Sequence, residues 1–162
     1  MVSESINTMI IVIAGIILAS MISVALFTQF GVLDSSMRIM VRNAQEKIQT
    51  SISISLVSFN TSDTGAVYIV IYVKNTGARS ISSQELSSTD VYLQDSSRTL
   101  FLIYNPVNSL GNWNYIDTDQ DNIWSVGETL IIRAYNNTAL SLPIKIIIVL
   151  PNGVSAEYIF NG

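Results

Sequence analysis

The sequence contains no cysteine and no histidine. These two absences exclude thiol chemistry, metal sites built from thiolates or imidazoles, and every catalytic triad that depends on a histidine base. The sequence also lacks the G-x-S-x-G and S-x-x-K motifs that would indicate an activated serine. The residue types therefore predict a protein that is not an enzyme.

Charge is scarce as well. Only 12% of the residues are charged, and eight basic residues against twelve acidic ones give a net charge of −4. No cluster of lysine and arginine provides the positive surface that a nucleic-acid partner requires, so we expect no nucleic acid to bind. With 49% hydrophobic residues and a mean hydropathy of +0.43, the chain is too apolar to be disordered. Its length leaves room for one anchored domain of ordinary size.

The chain does have one long uncharged run, MIIVIAGIILASMISVALF, from Met9 to Phe27. At about 1.5 Å per residue this run spans the roughly 30 Å of a bilayer's hydrocarbon core, and it has no polar stripe that would indicate a buried core helix. We therefore predict a membrane helix. The preceding MVSESINT has no basic residue, so we expect the helix to stay attached rather than to be cleaved as a signal peptide. The side chains assigned to the anchor are Met9, Ile13, Ile17, Met21 and Phe27.

Residues 32–48 follow this run with a second pattern. Apolar side chains recur near helical spacing and charged ones lie on other faces, which predicts an amphipathic helical stalk that continues or restarts past Gly31 and Asp34. A plain linker is the alternative. The apolar stripe of such a stalk needs a partner, either the following domain or a neighbouring helix in an assembly. The stripe comprises Val32, Met37, Met40, Val41, Ala44 and Ile48.

From Gln49 onward the hydrophobic period changes to two, which is typical of strands. Short strands separated by Asn-, Gly- and Pro-containing turns recur about every ten residues and predict an antiparallel β-sandwich. We expect its inner faces to carry isoleucine, valine and leucine together with Phe59, Phe101 and Tyr158. The predicted division is 1–31 for the N-terminal segment and membrane helix, 32–48 for the stalk and 49–162 for the sandwich. The seven strands begin at Ile52, Val67, Thr89, Thr99, Glu128, Ile144 and Val154.

Topology is indicated by two opposing signals. Arg38, Arg42 and Lys47 follow the membrane helix closely, and the positive-inside rule would place the domain in the cytoplasm. The domain itself is β-rich and poor in charge, and its sequons at Asn60 and Asn136 are compatible with glycosylation outside the cell. We expect the domain to lie outside.

The most specific polar pattern is DTDQDNIWSVGE at residues 117–128. It fits the twelve-residue calcium loop D-x-D-x-D-G-x₅-E, with Asn122 where glycine usually makes the sharp turn. Asparagine tolerates the left-handed conformation of that position. The alternative is an Asp/Asn-rich hairpin loop that caps itself through Asx-turns, since no helices flank the segment. A bound Ca²⁺ would take the carboxylates of Asp117, Asp119, Asp121 and Glu128 and the carbonyl of Ile123.

Three segments together resemble the archaellin superfamily: VYIVIYVKNTGARSIS at 67–82, DTDQDNIWSVGETLII at 117–132 and VLPNGVSAEYIF at 149–160. Within it, the chain looks most like the FlaG and FlaF families of archaellum (archaeal flagellum) stator proteins, and more like FlaG. The resemblance implies an archaellin-like sandwich without catalytic activity, anchored in the cytoplasmic membrane. The sandwich would lie between membrane and S-layer and hold the static part of the swimming motor. Implied partners are further copies of the chain, the sister stator protein and the S-layer protein, directly or indirectly.

Two other functions stay open. A filament subunit, archaellin or pilin-like, belongs to the same superfamily. Such subunits are made with a short basic leader, which MVSESINT does not resemble, so we expect a stator before a filament subunit. The third reading is a membrane-anchored, calcium-dependent binding or adhesion module, which requires the loop at 117–128 to hold its ion.

Overall fold

The computed structural model describes residues 2–61, 67–136 and 140–162 of the 162-residue chain. The chain forms two compact units, the first ending at Ala44 and the second comprising Gln45–Gly162. Helix α1 runs without interruption over Val2–Gln49, so the segment 32–48 is helical in one element with the apolar run. The helix does not break at Gly31 or Asp34.

Helix α1 is exposed on every face up to Ala44, and its residues from Met9 to Phe27 carry no charge. Its few hydroxyls are bonded inside the helix: Ser20 donates to the Ile16 carbonyl at 2.7 Å and Ser23 to the Ala19 carbonyl at 2.8 Å. Such bonds let serine sit in an apolar solvent without an unsatisfied donor. Among the described residues, α1 is the one helix long and apolar enough to cross a membrane.

The second unit is built almost entirely of strands. One short helix, α2 (Ser83–Ser87), begins at a capping box in which Ser82 and Glu85 bond each other's backbone N–H. The strands are β1 (Ile52–Thr61), β2 (Val67–Asn75), β3 (Ile81–Ser82), β4 (Asp90–Gln94), β5 (Thr99–Tyr104), β6 (Asn112–Ile116), β7 (Ile123–Trp124), β8 (Thr129–Tyr135), β9 (Ile144–Val149) and β10 (Ser155–Phe160).

Eight strands form one sheet in the order β1-β2-β8-β6-β5-β4-β9-β10, and β3 pairs with β7 separately. All pairs are antiparallel except the short β5–β6 contact, which is parallel. The two end strands approach each other, with the rings of Phe59 on β1 and Phe160 on β10 edge to face at 4.9 Å. The long apolar helix followed by a β-rich domain confirms the predicted fold class.

The core is contributed by both halves of this sheet. Alternating side chains on β2, β8, β4 and β9 are completely buried, as the period-two pattern predicts. The largest fully buried side chains are Trp113, Trp124, Ile69, Ile71, Ile81, Leu93, Leu102, Leu130, Ile132, Ile144, Ile146 and Ile148.

Two of the aromatic residues predicted for the inner faces lie elsewhere. Phe101 is 52% exposed and packs against Tyr92 on the outer side of the sheet, because Leu102 takes the inward position on β5. Phe59 is 44% exposed because it lies where the two end strands meet. On β1, a register shift between Ile54 and Leu56 turns the Leu56 side chain outward. Only Tyr158 packs against the core as expected.

The last turn of α1 is bonded to the loop that follows β2. The backbone N–H of Ala78 donates to the Gln49 carbonyl at 2.7 Å, and that of Thr76 to the Ser51 carbonyl at 2.9 Å. The two backbones approach so closely at Gly77 that a Cβ atom there would lie 2.5 Å from the Gln49 oxygen and 2.7 Å from the Ser51 nitrogen. Glycine is therefore required at position 77 by space.

The polar side chains around this contact converge on Thr50, which is buried. Its hydroxyl donates to the Glu46 carbonyl at 2.6 Å and accepts from Arg79 Nε at 2.7 Å and Asn152 Nδ2 at 2.8 Å. Arg79 also binds the Glu85 carboxylate at 2.6 Å. The end of α1 is thus joined to the loop 76–79 and to Asn152, and through Arg79 to α2.

We predict that Gly77→Ala destabilises the domain by about 2 kcal/mol, because the methyl group must displace backbone rather than a flexible side chain. Chemical unfolding of the full chain in detergent measures the change. The control is Gly31→Ala, where a Cβ would meet nothing within 4 Å. Equal stabilities for the two variants would contradict the close approach.

A second fixed point is Asp95, in the turn between β4 and β5. Its buried carboxylate accepts hydrogen bonds from the backbone N–H groups of Ser97 at 2.7 Å and Arg98 at 2.9 Å, and from the Ser97 hydroxyl. The N–H of Ser141, far along the chain, donates at 3.1 Å. The Ser97 bonds and then the Ser141 bond hold the pKa of Asp95 far below its usual range.

Because this pKa is lowered in the folded state, Asp95 stabilises the domain above its unfolded pKa of about 3.9, and the contribution is lost as the pH falls through the lower folded value. We predict that Asp95→Asn is less stable than the unsubstituted chain at pH 6 and that the difference shrinks toward pH 2. Unfolding curves across this range measure it, with Asp90→Asn on the adjoining strand as control. A difference that is independent of pH would contradict the assignment.

Candidate functional site

The acidic loop 117–128 connects β6 to β8 and contains β7. Its turn is made by the backbone N–H of Asn122, which donates to Asp117 Oδ2 at 2.8 Å. Asn122 has φ +63°, the left-handed conformation that glycine adopts at this position of a calcium loop. Gln120 has φ +61°, which is uncommon for a residue with a Cβ atom.

Three carboxylates of the loop converge. One oxygen each from Asp117, Asp119 and Glu128 lies within 4.8 Å of the others. Asp117 Oδ1 and Glu128 Oε1 are buried and have no hydrogen-bond partner. Buried carboxylate oxygens without donors are costly, and their cost falls when a cation binds between them.

The electrostatics agree with this arrangement. Desolvation raises the pKa of Glu128, and the neighbouring charges of Asp119 and Asp117 raise it further. Partial desolvation likewise raises the pKa of Asp119, together with contacts to Asp117 and the charge of Asp121, although Asp119 itself is exposed. The group therefore favours either a proton or a cation over three free negative charges.

Of the four predicted carboxylate ligands, Asp121 is not in the convergent group. Asp121 Oδ1 accepts a hydrogen bond from the Ile123 N–H at 2.7 Å, which closes an Asx-turn. Ile123 begins β7 and pairs with Ser82. The self-capping hairpin and the carboxylate cluster are thus both present: Asx-turns set the backbone, and Asp117, Asp119 and Glu128 point together.

A buried asparagine fixes the far end of the loop. Asn75 donates through Nδ2 to the carbonyls of Trp124 at 3.1 Å and Arg79 at 2.9 Å. Its backbone N–H donates to the Glu128 carbonyl at 2.9 Å, and its carbonyl accepts from Gly127 at 2.8 Å. The sequence pattern identified Asn75 only as the end of a strand, because a turn-forming Asn-Thr-Gly does not reveal long-range partners.

Trp124 completes this support. Its ring is 1% exposed, and its Nε1–H donates to the Glu128 carbonyl at 3.1 Å. Glu128 Oε2 accepts from the Ser125 N–H at 2.8 Å, which leaves Oε1 directed to the carboxylate group. Ser83, the first residue of α2, donates its N–H to the Asn122 carbonyl at 3.2 Å. The short elements β3, α2 and β7, which the sequence analysis missed, therefore hold the loop.

The donor set determines which ion this group fits. All of its atoms are carboxylate oxygens, which suit hard cations, and irregular oxygen cages suit Ca²⁺ better than Mg²⁺, which needs near-ideal octahedral geometry. Over 2–61, 67–136 and 140–162, no other set of three or more acidic residues converges in this way.

The remaining predicted positions are accounted for as follows. Asn60 is exposed at the end of β1 and Asn136 is half-buried just after β8, while Ser62, Asn137 and Thr138 of the two sequons lie outside the described residues. The five anchor side chains Met9, Ile13, Ile17, Met21 and Phe27 are all exposed along α1.

Comparison with known proteins places these features. The family model for archaeal-type flagellin matches residues 3–160. A protein of Archaeoglobus fulgidus described as uncharacterized is 27% identical over 164 residues, 99% of each chain. The archaellum periplasmic stator protein FlaG from Sulfolobus acidocaldarius is 26% identical, with a TM-score of 0.54 over 68% of this chain and 99% of that chain.

A chain of the archaellum periplasmic stator protein complex of FlaF and FlaG from Sulfolobus acidocaldarius matches with a TM-score of 0.53 and 26% identity, over 67% of this chain and 87% of that chain. The archaeal flagellin FlaB1 from Methanocaldococcus jannaschii has a TM-score of 0.51 over 69% of this chain and 89% of that chain, and at 15% identity it shares the fold. The resemblance predicted from the three sequence segments is confirmed. The named relatives are structural components of the archaellum, and this chain belongs to the archaeal-type flagellin family.

Proposed function

We propose that this chain is a non-enzymatic component of the archaellum motor stator. Its α1 helix holds it in the cytoplasmic membrane as a single-pass protein, and its β-domain lies outside the cell. There the domain pairs with a sister protein of the FlaF type, and the pair links the motor to the S-layer. The observation that carries the proposal is the match to FlaG, at 26% identity over 99% of that chain.

A stator must resist torque, so it needs an anchor that does not dissociate and a domain that does not deform. Nineteen consecutive uncharged residues in α1 supply an effectively irreversible anchor. In the domain, the continuous sheet, the Asp95 carboxylate and the three bonds at Thr50 oppose deformation. These features support a role in resisting torque.

For the pairing, the domain has an apolar surface on the outer side of its sheet. Phe101 and Ile103 of β5 are 52% and 61% exposed, and Tyr92 of β4 lies against Phe101 with ring centroids 5.2 Å apart. Ile147 of β9 lies opposite Tyr92 in the register. Neighbouring exposed apolar side chains of this kind are typical of protein contact surfaces.

We predict that the chain remains in the membrane fraction when filaments are sheared from cells, and that its deletion abolishes swimming. A filament subunit would instead be abundant in the sheared filaments. Mass spectrometry of the two fractions distinguishes the two roles. Recovery of the chain mainly from filaments would overturn the stator proposal in favour of a filament subunit.

The pairing is tested with the full chain in detergent. Phe101→Lys should weaken co-purification with the FlaF-type protein of the same organism by roughly tenfold or more, because a charge replaces an aromatic contact. Ser53→Lys, at an exposed position of β1, serves as the matched control and should leave the co-purification unchanged. If both variants still paired as the unsubstituted chain does, the result would contradict the assignment of this surface.

We further propose that Asp117, Asp119 and Glu128 bind Ca²⁺, which fixes the loop against β3 and β8. The two buried oxygens without hydrogen bonds favour this function. The role is structural, since the scaffold of Asn75 and Trp124 places Glu128 at a junction of strands rather than in an open cleft. A calcium-dependent adhesion module would bind the same ion, and it would be recognised by calcium-dependent binding of an external ligand.

We predict that Ca²⁺ stabilises the unsubstituted chain at pH 7, by about 2.7 kcal/mol at roughly 100 times its Kd, and that Glu128→Gln loses this response. Thermal unfolding with Ca²⁺ or EDTA measures it, with Glu157→Gln as a control on the exposed surface. Since protons compete for carboxylates of raised pKa, the calcium effect should diminish toward pH 4. If millimolar Ca²⁺ produced no thermal shift, this result would contradict the site.

Without calcium, the contribution of Glu128 to stability changes with pH in the opposite direction to that of Asp95. A carboxyl whose folded pKa is raised stabilises the fold below its unfolded pKa, and this contribution is lost as the pH rises through the folded value. In EDTA, Glu128→Gln should therefore be more stable than the unsubstituted chain at pH 7, because the amide oxygen can keep the Ser125 bond without the repulsion.

A further inference from the structure

From the last turn of the membrane run onward, α1 carries a regular apolar seam. Leu26, Phe30, Leu33, Met37, Met40 and Ala44 are spaced by 4, 3, 4, 3 and 4 residues. This is the a and d spacing of a left-handed coiled coil. All six are exposed, with Phe30 at 64%, Met37 at 66% and Met40 at 70%. We call these six residues the stalk seam.

Lipid does not account for the part of the stalk seam that lies beyond Asp34. The run Met9–Phe27 already spans the hydrocarbon core, and the helix continues for roughly 25 Å to Ala44. Over that length charged side chains recur: Arg38 binds Asp34 at 2.9 Å, and Arg42 follows one turn later. Charges at such spacing exclude the helix beyond Asp34 from the hydrocarbon core, so Met37, Met40 and Ala44 face water unless another helix covers them.

We propose that the stalk seam pairs with the same seam of a second copy of this chain, as two parallel helices. The inference rests on the membrane anchoring within the proposed function and not on the stator role. Two copies held by the same membrane run have their seams at equal height and with equal direction. A parallel pair in register therefore follows from the anchor itself.

Charge favours a second copy as the occupant. With Phe30 at an a position, Arg38 and Arg42 fall at b and f, away from the partner helix. In a parallel pair Asp34, at e, lies opposite Gln29 of the other copy, so no like charges meet across the seam. Two identical parallel helices repel where a g residue and the following e residue carry like charges, and this stalk has no such pair from Leu26 to Ala44.

The area is sufficient for a specific contact. The side chains of the seam expose on the order of 500 Å² per helix, so a pair would bury roughly 1,000 Å², the lower bound for a specific interface. Membrane anchoring adds to this, since confinement in two dimensions raises the effective concentration of the partner. A modest interface can therefore form a stable pair.

The chain contains no cysteine, which allows single cysteines to report the pairing directly. The full chain is expressed without its sister protein in membrane vesicles and oxidised as Met37→Cys or, on the opposite side of the helix, Ser35→Cys. Ser35 is exposed and its hydroxyl bonds within the helix to the Gly31 carbonyl. Both residues lie at nearly the same height, so collisions in the membrane affect them alike.

We expect Met37→Cys, and equally Met40→Cys, to form roughly tenfold more disulfide-linked dimer than Ser35→Cys, because only seam positions bring the Cα atoms within disulfide range. Equal crosslinking at seam and control positions, or none at the seam, overturns the proposal. Crosslinking that requires the sister protein overturns it too and makes that protein the occupant. Failure of the stator proposal would leave these results unchanged, because no motor is present in the vesicles.

Discussion

The constraint on which the rest depends is that a run of nineteen uncharged, mostly apolar residues of α1 faces outward in every direction. No surface of the helix is polar enough for water, and the serine hydroxyls bond to carbonyls of their own helix. A bilayer is the solvent that such a helix requires. The anchor fixes one end of the chain, and everything after the run must function at a membrane surface.

The β-domain meets this requirement through a small number of buried polar groups. Thr50 joins the last turn of α1 to Arg79 and Asn152, and Asn75 joins the end of β2 to the acidic loop. Buried and fully bonded polar groups specify a unique arrangement more than they add stability. The acidic loop differs, since two of its buried carboxylate oxygens lack donors, and the proposed Ca²⁺ would satisfy them.

The sequence predicted the helix and most of the strands because their signals are local. An uncharged run and period-two alternation depend on a few neighbouring residues, and they located α1, β1, β2, β4, β5 and the strands from β8 onward. The elements β3, α2, β6 and β7 were missed because they are short or rich in asparagine and tryptophan. The capping box at Ser82 and Glu85 was the one signal that could have located α2.

For the site, the spacing of the acidic residues identified the loop, but it did not show which side chains converge and which close turns. All five ligands were named from a linear pattern, yet Asp121 closes a turn with Ile123 while Asp117, Asp119 and Glu128 converge. Which oxygens point inward depends on Asn75 and Trp124, which lie far away in sequence or carry no ligand atoms. The outward position of Phe101 has the same origin, since the register of β5 is set by its neighbours.

The most direct test of the stator role is crosslinking mass spectrometry on intact swimming cells, using the domain lysines Lys47, Lys74 and Lys145. We expect crosslinks from these lysines to a FlaF-type protein and to envelope protein, at the cell surface and in the membrane fraction. Crosslinks mainly to filament subunits along the length of the filament would contradict it.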